Sequence, residues 1–223
     1  LCWVFDHHRA NPSTASRMTV AFSGATIPKA FIIMSKNTIH DLEITIQSLK
    51  EELEELYQSA EPKPVSDYTF QKPDGSEINL SALFNGRDEL LLIFNMGKEC
   101  PYCTLWADGY NGFTDHLNNR SGFVVVSPDP PEVQKEFYVS RNWRFPMVSH
   151  SKNNFAEDFG YKVDGKYYLP GVATFSKDSA GQIFFHVSSQ FGPGDNFCSQ
   201  WDFLRMLPKG ENNWAPKYSY DNE

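Results

Sequence analysis

The sequence predicts an α/β fold: a central mixed sheet flanked by helices, preceded by a helical extension. Three observations predict it. Two continuous apolar runs, residues 90–94 (Leu-Leu-Leu-Ile-Phe) and 122–126 (Gly-Phe-Val-Val-Val), have the character of parallel strands buried on both faces. Amphipathic helical patterns follow each run. A second hairpin, within residues 172–186, and a final helix at about 197–206 then close the chain.

Residues 1–33 show neither periodicity nor turn grammar and read as a disordered or non-native leader, the folded protein being expected to begin near Met34. From 38 to 58, Ile39, Leu42, Ile46, Leu49, Leu53 and Leu56 alternate spacings of three and four, the a/d seam of one helix. Thr38 and Asp41 open it as a capping box, and Pro62 and Pro64 stop it. The seam either lies across its own domain or pairs in a homodimer through residues 38–58, although the acidic run 51–55 opposes self-pairing. Residues 68–70 and 77–80 flank Pro73-Asp74-Gly75 as a hairpin. A helix from 100 to 117 sets Trp106, Tyr110, Phe113 and Leu117 on one stripe. Pro131 opens a helix over 131–142, and a shorter one is expected at 153–159. The last helix carries Phe197, Trp201, Leu204 and Leu207. The expected organisation is a leader (1–33), a heptad helix (34–62), a domain at 63–215 and a tail (216–223). Parallel strands joined by helices, then an antiparallel hairpin and a helix, describe the thioredoxin arrangement.

Composition narrows the function classes. The chain is 40% hydrophobic with 18 Phe, enough for a sizeable core and against global disorder. A net charge of −8 repels phosphate backbones and anionic lipid, so neither a nucleic-acid nor a membrane partner is expected. Of Cys2, Cys100, Cys103 and Cys198, only one pair lies close, at redox-motif spacing. That usage predicts a reducing, cytoplasmic compartment.

The pair is Cys100-Pro101-Tyr102-Cys103, just after a buried strand and at the start of a helix. A thiolate is the nucleophile, and the unpaired N–H groups of a helix N-terminus stabilise it. Two intervening residues let the second sulfur resolve a mixed disulfide on the first. Cys100 is therefore assigned as the exposed attacking thiol and Cys103 as the resolving one, with Lys98 favouring the thiolate and Glu99 opposing it. Half of a zinc site or two structural cysteines are the alternatives; no second CxxC or HxxxH accompanies the pair, and no metal is expected. Cys198 reads as a small core residue.

Pro101 and Tyr102 are the candidate substrate-binding residues between the thiols. Pro170 is the third, since thioredoxin-like folds place a cis-proline before the strand at 172–175, exposing a backbone edge to substrate. A trans proline simply starting the strand is the alternative. Gly192-Pro193-Gly194-Asp195-Asn196 could hold an anion on its N–H groups. With the CPYC pair and Pro170 this turn is similar to glutaredoxins, which makes glutathione a candidate co-substrate. As a turn and N-cap, however, the segment needs no ligand, and no resident cofactor is expected.

From Glu99 through Cys100-Pro101-Tyr102-Cys103-Thr104-Leu105-Trp106-Ala107-Asp108-Gly109-Tyr110, the chain resembles the bacterial thioredoxin-like family known as domain of unknown function 899. The likeness continues in Trp143-Arg144-Phe145-Pro146, residues 155–160 and Leu207-Pro208-Lys209-Gly210, covering roughly 65–215. The resemblance implies a thioredoxin-like fold with a cysteine pair and names no substrate. Pro-Tyr between the cysteines and a less basic end depart from the family pattern. Within the stretch, Asp108 reads as a helix-surface acid or as a proton acceptor for the resolving thiol, and Arg144 as an anion ligand or an ion pair.

These readings lead to a thiol–disulfide oxidoreductase acting on a disulfide-bearing protein or small thiol substrate. One alternative is a peroxiredoxin-like peroxide reductase, whose chemistry wants a hydroxyl residue three positions before the attacking cysteine; that position is Gly97. The other is a redox-inert binding module on the same fold.

Overall fold

The computed structural model describes residues 37–220, so the leader reading at 1–33 and Cys2 lie outside the described residues. The chain divides into two units, residues 1–55 and 56–223.

The described part of the first unit is residues 37–55, most of helix α1 (Ile39–Gln58), whose last three residues fall in the second unit. Its start is a reciprocal capping box: Thr38 N–H donates to the Asp41 carboxylate at 2.9 Å and Asp41 N–H to Thr38 Oγ1 at 3.1 Å. The Thr38 hydroxyl and amide hold the Asp41 carboxyl below its ordinary value. No residue of α1 is buried, and the seam residues range from 37% exposed at Leu53 to 80% at Ile39.

The first strand of the second unit is β1 (Lys63–Val65), which the sequence, read there only as prolines stopping the helix, did not predict. Pro64 is tolerated there because β1 is an edge strand, paired on one side only, with β10 (Ile183–Gln190). The hairpin of β2 (Thr69–Gln71) and β3 (Glu77–Asn79) turns at Asp74-Gly75, with Gly75 at φ 84° and the Asp74 carboxylate accepting Ser76 N–H at 2.9 Å. Leu80 leaves the expected strand and opens the short helix α2 (Leu80–Leu83). Then come β4 (Glu89–Phe94), α3 (Pro101–Arg120), β5 (Gly122–Ser127) and α4 (Pro131–Ser140). β6 (Met147–Ser149), α5 (Phe155–Asp158), β7 (Lys162–Val163), β8 (Tyr167–Tyr168), β9 (Gly171–Lys177), β10 and α6 (Ser199–Met206) complete the order. The segment read as a tail is docked at Tyr218, whose ring packs edge-on against Phe137 and whose carbonyl accepts from Arg141.

Among the described residues, eight strands form one sheet in the order β1-β10-β9-β4-β5-β6-β2-β3, and β7 pairs with β8 apart from it. Its heart is thioredoxin-like: β4 is parallel to β5, β9 runs antiparallel to β4, and β10 runs antiparallel to β9. Crossovers through α3 and α4 and the closing α6 complete that fold. Period-two alternation divides the apolar residues between the faces. Leu90, Leu92, Phe94, Val124 and Val126 enter one cluster; Ile93, Phe123 and Val125 enter the other, with Cys100, Cys103 and Trp106. Each large side chain so buried contributes about 1.5–3 kcal/mol.

Two helical faces differ from the expected ones. In α3 the buried stripe is Cys103, Trp106, Ala107, Tyr110 and Thr114, while Phe113 is 41% exposed. The stripe advances by three or four residues from Cys103, so Thr114 rather than Phe113 faces the sheet. In α6 only Trp201 is buried; flanking the helix, Leu207 stays half in solvent and Phe197 packs its ring on Phe191 at 4.8 Å.

Candidate active site

The turn between β4 and α3 is built around Asp129, in the segment after β5. Asn95 N–H donates to the Val126 carbonyl at 2.9 Å, and Asn95 Oδ1 accepts Gly97 N–H at 2.8 Å. Asp129 Oδ2 accepts Lys98 N–H at 2.8 Å. Burial raises the half-buried Asp129 carboxyl, against the Lys98 amide and charge. Gly97 sits at φ 101°, and a Cβ there would stand 2.8 Å from Asp129 Oδ1. Glycine is thus required by both conformation and space, which keeps a hydroxyl side chain out of this position.

Cys100 follows as the N-cap of α3, at φ −108° and ψ 103°, with Pro101 at the first helical position. Its Sγ accepts Cys103 N–H at 3.1 Å, so sulfur takes the acceptor place normally held by a Ser or Asp oxygen. The Cys103 side chain donates to it as well. That hydrogen bond is the first cause of a Cys100 thiol lowered from its ordinary value; burial opposes it, and the Cys103 and Tyr102 N–H groups add to it. Neither cysteine is in a disulfide.

Several expectations change here. Cys100 is 3% exposed, not the open thiol the motif suggested, because the first turn of α3 is packed into the second apolar cluster. Lys98 and Glu99 pair with each other at 3.9 Å on the surface, and the forces on the Cys100 thiol come from Cys103 and the backbone N–H groups instead. No cis peptide bond occurs among the described residues, so Pro170 is trans. Its carbonyl accepts Phe191 N–H at 2.9 Å, which occupies the edge it was expected to offer to substrate.

Pro170 nevertheless comes beside the thiols. It lines a narrow crevice with Cys103, Trp106, Tyr110 and Phe191, in which a water-sized sphere finds no room. Tyr102 is half-buried and stacks on Trp201 of α6 with ring centroids 6.1 Å apart, so it joins two helices. The Gly192–Asn196 turn binds its own anion: the Asp195 carboxylate accepts Gly192 N–H at 3.0 Å and Phe197 N–H at 2.7 Å. Burial raises that carboxyl against these bonds. Asp108 is no proton acceptor for a thiol, since it pairs with Arg141 and accepts Trp143 Nε1–H at 2.8 Å. Arg144 pairs with Asp115 at 3.5 Å. Cys198 packs against the cysteine cluster at the N-cap of α6, half-buried, its thiol raised by burial and then by Asp195 and Asp202. Among the described residues no three His, Cys, Asp or Glu side chains converge as a metal site, and no helix is long and apolar enough to cross a membrane.

Sequence reasoning missed four participants. Asp129 and Asn95 lie outside any motif, and only their backbone partners reveal them. Tyr110 and Trp106 were read as core, although a Tyr and a Trp on a buried stripe bring polar atoms that a Phe would not. Tyr110 Oη is buried without a hydrogen-bond partner among the described residues, whereas the buried Trp106 indole N–H lowers the Asp195 carboxyl.

Comparison with known proteins finds the following similarities. Chloroplastic peroxiredoxin Q from Oryza sativa subsp. japonica is 26% identical over 142 residues, 63% of this chain and 64% of that protein. Chloroplastic peroxiredoxin Q from Populus jackii is 27% identical over 141 residues, 63% and 65% of the respective lengths. The chain therefore spans less than two-thirds of the length of these relatives. The crystal structure of peroxidoxin BcpB from Mycobacterium tuberculosis superposes with a TM-score of 0.49 at 24% identity, covering 65% of this chain and 92% of that one. The family described as "Bacterial protein of unknown function (DUF899)" matches residues 43–222, wider on both sides than the resembling motifs, and the chain belongs to that family.

Proposed function

We propose that the chain is a thiol-dependent peroxide reductase in which Cys100 attacks and Cys103 resolves. The burial of two hydrogen-bonded thiols at the first turn of α3 carries this reading. A lowered Cys100 thiol supplies the nucleophile, and at 3% exposure it is better matched to a small oxidant than to a protein disulfide. Similarity to proteins named peroxiredoxin Q supports peroxide as that oxidant.

In the reaction, the Cys100 thiolate attacks one peroxide oxygen. An S–O bond forms, the O–O bond breaks, and the departing oxygen takes a proton as water or an alcohol. Cys103 then attacks the Cys100 sulfenic acid, forming the Cys100–Cys103 disulfide and releasing water. Two equivalents of an external thiol return the pair to the dithiol and leave as a disulfide.

Gly97 favours a second reading, thiol–disulfide exchange with a small disulfide, because it denies peroxide the hydroxyl three positions before Cys100. Stopped-flow mixing with hydrogen peroxide, followed by tryptophan fluorescence, separates the two. Oxidation well above the rate of a free thiolate, lost in Cys100→Ser, is the expected result. Oxidation no faster than a free thiol, alongside reduction of a small disulfide, would transfer the assignment to the second reading.

A further inference from the structure

Tyr110 is 4% exposed, and its Oη has no hydrogen-bond partner among the described residues. A buried hydroxyl without a partner costs stability, and a phenylalanine would fill the same space without that cost. The surroundings explain why a hydroxyl is there. Tyr110 lines the same crevice as Cys103. After burial, charge on Cys103 is the largest influence on its phenol, ahead of Asp195 and Cys198. The Cys103 sulfur itself accepts Met96 N–H at 3.5 Å, from the backbone side.

In the resting dithiol the Cys103 side chain is hydrogen-bonded to Cys100. The need changes once Cys100 is oxidised. Cys103 must then ionise inside an apolar cluster, where an unsupported thiolate is disfavoured.

We propose that the Tyr110 hydroxyl is held unpartnered for this moment, and donates to the Cys103 thiolate as it attacks the Cys100 sulfur. The role rests on the dithiol reading above. With a mixed disulfide Cys100–S–S–R, the Cys100–Cys103 bond forms, the bond to R breaks, and RS⁻ leaves with the electron pair. RS⁻ then takes up the proton that Cys103 released. With a sulfenic acid the leaving group is hydroxide, which departs as water.

The test uses the full chain carrying Cys2→Ser and Cys198→Ser, mixed with one equivalent of dithiobis(nitrobenzoate). A first release of thionitrobenzoate reports the mixed disulfide on Cys100, and a second reports attack by Cys103. Tyr110→Phe is expected to leave the first phase unchanged. It should move the pH midpoint of the second phase up by about one unit, hence slow it about tenfold below that midpoint. The urea midpoint of Tyr110→Phe should be no lower than that of the parent. An unchanged second phase in Tyr110→Phe would overturn the proposal alone. So would a slower one with the same pH midpoint and lower stability, which is the mark of a packing defect. Absence of the first phase would overturn this role, and the dithiol reading falls with it if hydrogen peroxide also fails to oxidise Cys100.

Discussion

At the scale of single residues, Gly97 is the position where backbone and site chemistry meet. Its φ of 101° lies outside the range that side chains adopt easily, and a Cβ would meet a carboxylate already engaged by Lys98 N–H. Gly97→Ala should therefore destabilise the protein by about 1–3 kcal/mol, read as a lower urea midpoint. A variant of unchanged midpoint would show that the turn before Cys100 is not held in this way. Cys100 illustrates the same point from the other side. Cysteine at an N-cap is a weaker acceptor than Ser or Asp, yet it satisfies a helix N–H and keeps its own thiol lowered. One sulfur therefore serves both the helix start and the chemistry.

At the scale of elements, α3 carries the site, and it is pinned to the segment after α4 through Asp108. That carboxylate accepts the indole N–H of Trp143, itself 3% exposed, and pairs with Arg141. Asp108→Ala leaves the indole donor buried without a partner, which should cost about 2 kcal/mol. Asp108→Asn keeps an acceptor for Trp143 and should cost clearly less. Chemical denaturation of both variants checks the order, and equal losses would mean that the Trp143 bond is not what holds the two segments together. The sequence placed Asp108 correctly on α3, but a helix pattern reports only which face a residue occupies. Its partners lie more than thirty positions away.

At the scale of the whole molecule, buried ionisable groups set how stability follows pH. Burial lowers His150 from its ordinary 6.5 to about 4. Between those values the unfolded chain binds more protons than the folded one, so stability falls as pH drops through that window and is fully retained above it. At about 1.4 kcal/mol per unit, the loss approaches roughly 3 kcal/mol. Asp129 and Asp195 act in the opposite sense: burial raises both, so their contribution is complete below the ordinary 3.8 and is lost as pH rises through their folded values. Urea titrations from pH 4 to 7 should therefore show a smaller acid loss in His150→Gln than in the parent. Parallel curves would remove His150 from the account.

The sequence by itself determined the fold class, the two buried parallel strands, the heptad helix with its capping box, and the dithiol at the start of α3. These are properties of contiguous residues: a run of Leu and Val, a three-four spacing, a Pro at a helix start. Short pieces were less legible. β6 and the β7–β8 pair are two or three residues long, too short for any period, and exist because neighbouring strands complete their hydrogen bonds. The tertiary structure alone decided that Cys100 is buried, that Pro170 is trans with its carbonyl occupied, and that Asp195 fills its own anion-binding turn. It alone also brought the Tyr110 hydroxyl into the Cys103 crevice. Burial and hydrogen-bond satisfaction depend on what the remainder of the chain packs against a residue, and local spacing carries no record of that.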